Sequence, residues 1–69
     1  MIVFNIEVEQ EADGRWLAEV AELPGVMTYG IGRDDAVAKA QALALRVVAD
    51  RLEHDEVQGD LVSISFNAA

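Results

Sequence analysis

From Arg33 the chain takes up a helical period that ends about His54, with neither Gly nor Pro between. In a chain of 69 residues one helix of that length dictates the architecture, because the remaining segments must form whatever layer it packs against. On a helical wheel Ala36, Val37, Ala40, Leu43, Ala44, Val47, Val48 and Leu52 share one side, while Asp35, Lys39, Arg46, Asp50 and Glu53 share the other. Leu45 with Ala38, Ala42 and Ala49 widens the apolar arc beyond the ~100° stripe that one sheet buries. Gly32 stands where an N-cap is wanted, and Asp34 and Asp35 place negative charge on the first turn, where it complements the helix dipole. Gln58-Gly59-Asp60 breaks the chain after the helix.

The flanking segments alternate with a period of two. Ile2, Phe4, Ile6 and Val8 fall on one face of a first strand, with Val3, Asn5, Glu7 and Glu9 on the other. In the next strand Trp16, Ala18 and Val20 share a face. Placing them beside Ile6 and Val8 requires Val8 opposite Ala18 and Ile6 opposite Val20. That register leaves an odd loop, a three- or five-residue hairpin over Glu11-Ala12-Asp13-Gly14 with Gly14 at positive φ; a two-residue turn would put Glu19 opposite Val8. Leu23-Pro24-Gly25-Val26 reads as a type II turn, with Pro presetting φ at its second position and Gly accepting positive φ at its third. Val26 to Ile31 follows as a short strand, and Leu61 to Phe66 alternates again with Val62, Ile64 and Phe66 inward.

The expected fold is therefore α+β: a single antiparallel-type sheet in β-β-β-α-β order, one domain over residues 1–69, with one long helix packed on one face. The helix should cover Ile2, Phe4, Ile6, Trp16 and Val20. The opposite face would carry Val3, Leu17, Ala21 and one of Met27 or Tyr29 among Asn5, Glu7, Glu9 and Glu19, which is more apolar than a solvated face requires.

So short a chain buries only roughly 60% of its unfolded surface, and the absence of Cys removes disulfides and thiolate metal sites as staples. Self-association into a dimer or tetramer is the available supplement. No apolar run approaches the ~18 residues of a spanning helix, and Met1 leads directly into Ile2-Val3-Phe4 without a basic leader, so a cytoplasmic protein with no membrane association is expected. Thirteen Asp and Glu against five Lys and Arg give a net charge of -8. Nucleic-acid affinity comes largely from cations on phosphates, so direct nucleic-acid binding is not expected, and a basic protein partner suits the charge.

No residue pattern here supports catalysis. Glu7 with Glu9, Asp34 with Asp35, and Asp55 with Glu56 are acidic pairs, but the first lies on an exposed strand face and the second opens a helix. His54 is placed to interact with the negative end of the helix dipole and has no nucleophile to activate. Gly30-Ile31-Gly32 precedes a helix but lacks the third Gly of a dinucleotide fingerprint and the Gly-Lys-Ser/Thr of a P-loop. No enzyme activity, cofactor or metal is expected.

Glu11-Ala12-Asp13-Gly14, Trp16-Leu17-Ala18, Leu23-Pro24-Gly25, Thr28-Tyr29-Gly30 and Asp35-Ala36 occur in this order over residues 2–55. The succession resembles the HicB-like antitoxin family, whose structural motif would fall on Gly14, Leu23, Pro24, Gly25, Gly30, Asp35 and Ala36. Gly32 replaces the Ser or Thr cap usual in that family, and Val26 replaces a frequent Cys or small residue. Full antitoxins of the family generally append a DNA-binding module, and a chain ending at Ala69 has no room for one.

The resemblance thus implies a stand-alone toxin-neutralising domain whose acidic surface covers the RNA-binding face of a basic HicA-like mRNA interferase. Glu7, Glu9, Glu19 and Glu22, with Trp16, are the residues expected to meet that partner; if the sheet face instead closes a homodimer, Asp50, Glu53, Asp55 and Glu56 offer another acidic surface. The alternative is an orphan oligomeric accessory or small-ligand-binding domain of the same fold without a toxin partner.

Overall fold

A computed structural model describes residues 1–54 and 63–68. Four strands, β1 (Ile2–Gln10), β2 (Trp16–Val20), β3 (Met27–Gly30) and β4 (Ile64–Ala68), form one sheet in the order β3-β2-β1-β4. The single described helix, α1 (Arg33–Glu53), connects β3 toward β4 and lies chiefly over β3 and β2. The architecture is the expected α+β sheet with one helix on one face.

Strand direction needs one correction. β1, β2 and β3 form the expected antiparallel meander, but β4 pairs with β1 in parallel, Ile2 opposite Ile64 and Phe4 opposite Phe66, so the sheet is mixed. The helix is the cause: it carries the chain back along the sheet, and a strand entered after such a crossover runs parallel to the one before it.

The β1–β2 register is the expected one, with Ile6 opposite Val20 and Val8 opposite Ala18. Gln10 opposite Trp16 closes the ladder, leaving a five-residue loop in which Gly14 has φ +93°. In the β2–β3 turn the Val26 N–H donates to the Leu23 carbonyl at 3.0 Å and Gly25 has φ +87°, as a type II turn requires. β3 is one residue shorter at each end than the alternation implies. The Val26 N–H is turned back to Leu23, and the Ile31 N–H donates to the Asp35 carboxylate at 3.2 Å, so neither enters a ladder.

Phe4, Ile6, Ala18, Val20, Leu23 and Val26 from the sheet side bury against Ala36, Ala40, Ala44 and Val48 of the helix. A row of Ala at i, i+4 and i+8 lets the helix backbone lie close to the sheet. Each step of four residues also turns the row by about 40° at 3.6 residues per turn, so by Leu52 it has rotated out of the interface. Leu52 is accordingly exposed, against the wheel expectation. Phe66 stacks on Phe4 with ring centroids 5.7 Å apart, tying β4 to the core. Ile64 and Phe66 are half-buried as expected, while Gln58, Gly59, Asp60, Leu61 and Val62 lie outside the described residues.

The helix begins at Gly32, whose carbonyl accepts from the Ala36 N–H at 3.1 Å but which has no side chain to cap with. It ends at His54, whose backbone N–H and ring Nδ1 both reach the Asp50 carbonyl, at 3.1 and 2.7 Å. That is the C-terminal role expected of His54.

Candidate partner-binding face

With α1 on one side, the other face of the sheet is open. Strand alternation fixes what it carries: Val3, Asn5, Glu7 and Glu9 from β1, Leu17 and Glu19 from β2, Met27 and Tyr29 from β3, and Ser65 and Asn67 from β4. Met27 and Tyr29 both belong to it, not one of them, because residues two apart on a strand share a face. Ile31, 93% exposed, continues their parity just past the strand.

The face is divided by chemistry. Along the β3 side, Met27, Tyr29 and Ile31 form an exposed apolar row beside half-buried Leu17. In the middle, Glu7 and Glu19 stand directly opposite one another, and Glu9 follows two residues along β1. Like charges directly opposite on an antiparallel pair are destabilising. Among the described residues no ion pair reaches Glu7, Glu9 or Glu19; Arg15 Nε is 2.7 Å from Asp13 Oδ2, and its guanidinium lies 4.4 Å over the Tyr29 ring. Its N–H groups hold the Asp13 carboxyl below its ordinary range, the backbone N–H contributing most.

Glu22 sits just beyond β2 and has a different task. Its Oε1 accepts from the Asn5 backbone N–H at 2.8 Å and its Oε2 from Asn5 Nδ2 at 2.7 Å, while the Ala21 N–H donates to the Asn5 carbonyl at 3.0 Å. As the chain turns away from β1, the Glu22 carboxylate thus takes the place of a ladder acceptor. The two donors lower its pKa, the side-chain amide first and the backbone N–H second. Asn67 Nδ2 donates to Asn5 Oδ1 at 3.3 Å, extending the polar chain to β4. Nothing in the sequence marks this pairing of residues 17 positions apart.

Of the residues expected to meet a partner, Glu7, Glu9 and Glu19 are brought together, Glu22 is occupied by Asn5, and Trp16 is separated from all of them. Trp16 packs half-buried against the core on the helix-covered face. Its position in β2 is one off the parity of Leu17 and Glu19, so alternation alone sends it to the opposite side. Of the second acidic surface, Asp50 and Glu53 are exposed at the end of α1, and Asp55 and Glu56 lie outside the described residues.

The motif residues have structural tasks. A side chain at Gly30 would collide with the backbone of Ala36, its Cβ within 2.9 Å of Ala36 Cα and closer still to Ala36 N. Thr28 Oγ1 donates to the Ala36 carbonyl at 2.9 Å, and Asp35 Oδ2 accepts from the Ile31 N–H and from Lys39 Nζ, the latter at 3.0 Å. Those two donors hold the Asp35 carboxyl below its ordinary range, Lys39 contributing most. Thr28, Gly30, Asp35 and Ala36 together dock the helix start on the end of β3. The Ile31 N–H is thereby committed to Asp35 and unavailable to a phosphate.

Among the described residues there is no enclosed pocket and no group of three or more His, Asp or Glu positioned to hold a metal ion. No described helix is long and apolar enough to cross a membrane. The open face offers apolar contact along β3, with negative charge beside it. Comparison with protein-family models, with curated proteins and with solved structures finds no match to this chain.

Proposed function

We propose that the open sheet face docks a basic protein, and that the chain is a HicB-like antitoxin-type domain which neutralises a small, basic HicA-like mRNA interferase by covering its RNA-binding surface. The observation that carries this reading is the unrelieved Glu7–Glu19 pair, with Glu9 beside it, bordering an exposed row of Met27, Tyr29 and Ile31. Each half of that surface is unfavourable to the free protein: like charges repel across the ladder, and apolar side chains lie in water. A cationic, partly apolar partner relieves both at once. Negative potential also steers such a partner into contact and occupies the positive surface that RNA phosphates need.

A second reading, an orphan oligomeric accessory or small-ligand-binding domain, draws on the motif residues. Gly30, Asp35 and Ala36 are needed for helix docking whatever the domain binds, so the fold alone accounts for them.

The deciding experiment mixes the chain with the small basic protein encoded beside its gene and follows the mass by size-exclusion chromatography with light scattering. Neutralisation predicts a complex that weakens as salt rises and is lost in Glu19→Lys but kept in Asp34→Lys, since Asp34 lies exposed at the start of the helix. Absence of a complex, or of such a neighbour, leaves the orphan domain as the better account.

A further inference from the structure

The outer side of α1 carries a second apolar feature, remote from the open sheet face. Ala38, Ala42, Leu45, Ala49 and Leu52 are all exposed, Leu45 by 46% and Leu52 by 41%. Their spacings run four, three, four, three, averaging the 3.5-residue repeat of a coiled-coil seam. On a 3.6-residue wheel the stripe lies roughly opposite the buried row of Ala36, Ala40, Ala44 and Val48. We propose that this stripe is the contact surface for a second copy of the chain, with the two helices packed antiparallel.

The occupant and its direction follow from size and charge along the stripe. Setting Ala42 opposite the partner copy's residue at position 52 places position 45 opposite position 49 by the same symmetry, so every Leu meets an Ala. A parallel pair would instead stack Leu on Leu and Ala on Ala, alternating crowded layers with gaps. The charged flank beside the stripe reads Asp35, Lys39, Arg46, Asp50, Glu53 from the N-terminal to the C-terminal end, basic in its middle and acidic toward its C-terminal end. In the antiparallel register Lys39 of each copy falls within about 3 Å along the axis of the Glu53 level in the other, and Arg46 equally near the Asp50 level, at 1.5 Å rise per residue. Lys39 already pairs with Asp35 in its own helix, but Arg46 has no ion pair among the described residues. Parallel packing would instead carry the two copies of this flank to opposite sides of the seam, where these charges could not meet.

The open sheet face does not suit a second copy. Self-pairing there would set two groups of Glu7, Glu9 and Glu19 against each other, and charge complementarity reserves that face for a cation. The helix contact leaves it free and does not depend on what the sheet face binds. In this register four residues of each stripe, at positions 42 to 52, face one another over about 15 Å of helix, an interface at the small end of specific contacts, so the dimer should dissociate on dilution.

Sedimentation equilibrium of the chain from micromolar to millimolar concentration should show the mass rising from monomer to dimer. Leu45→Glu should raise the dissociation constant about tenfold or more with an unchanged circular dichroism spectrum. Arg46→Asp should weaken the dimer similarly, and Arg46→Asp with Asp50→Arg should restore it; since the two positions also face each other at i, i+4 within one helix, the melting temperature of the dilute monomer, unchanged by Arg46→Asp, must show that the loss and the rescue belong to the dimer. The chain has no Cys, so Ala42→Cys and Leu52→Cys chains can be mixed and oxidised: antiparallel packing predicts mainly the mixed disulfide. A monomer at every concentration, a dimer indifferent to both substitutions, or predominance of the like-with-like disulfides overturns the proposal.

Discussion

A methyl group at Gly30 has no space to occupy. It would meet Ala36 N and Cα as well as Asp35 Oδ2, in the first turn of the helix, and the Ala36 backbone cannot swing aside as a side chain can. Gly30→Ala should therefore lower stability by about 2 kcal/mol or more, in the upper range of overpacking costs, read as a lower urea midpoint with an unchanged slope. At Gly14, where an added Cβ meets nothing within 4 Å, the same change costs only backbone strain at positive φ, about 1 kcal/mol. Asn5 invites a test of another kind. Its two N–H donors lower the Glu22 carboxyl below its ordinary range, so the folded state favours the ionised form. That contribution to stability is fully present above the unfolded pKa and disappears as pH falls through the lower folded value. In Asn5→Ala the side-chain donor is lost, so the Glu22 carboxyl resonance followed by NMR should titrate at a higher pH than in the parent. An unchanged midpoint would mean that the amide bond contributes nothing in solution.

At the scale of elements, β4 depends on one partner strand. It pairs with β1 at the sheet edge, and its largest side chain, Phe66, holds it by stacking on Phe4. Phe66→Ala should cost about 2–4 kcal/mol, near the lower part of the range for buried aromatic truncation because Phe66 is only half-buried. Amide exchange should then speed first in residues 64–68, with the meander still protected. β4 also marks where sequence reading ran out. The β1–β2 register was legible because apolar parity and an odd loop with Gly14 admit one solution. The direction of β4 was not, since Ile64, Ser65 and Phe66 alternate identically read either way, and only the path of the helix decides. Leu52 escaped the wheel for a related reason: the wheel describes a helix alone, whereas burial depends on how far the sheet follows it. Of the candidate face, the Glu7, Glu9, Glu19 grouping was legible from period two. The separation of Trp16 was implicit in the same parity, and the Glu22–Asn5 bond left no local trace.

For the whole molecule the charge balance of -8 makes opposite predictions for the free and the bound protein. Alone, a compact chain of that charge repels itself, most sharply where Glu7 faces Glu19, and salt screens that repulsion over a Debye length of about 10 Å at 0.1 M. Raising ionic strength should therefore raise the melting temperature of the free chain. Glu19→Gln should do so at low salt, by the equivalent of about 0.5 kcal/mol for one cross-strand pair, and its advantage should shrink as salt is added. If the sheet face receives a cationic partner, the same salt and the same substitution must weaken the complex, because the charges that repel within the free protein are those that attract across the interface. Melting curves and binding isotherms over one salt series test both halves together. A Glu19→Gln chain more stable yet poorer at binding is the expected signature of acids placed for a partner. If it is more stable and binds undiminished, the Glu7–Glu19 pair lies outside the interface, and the partner docks on another surface.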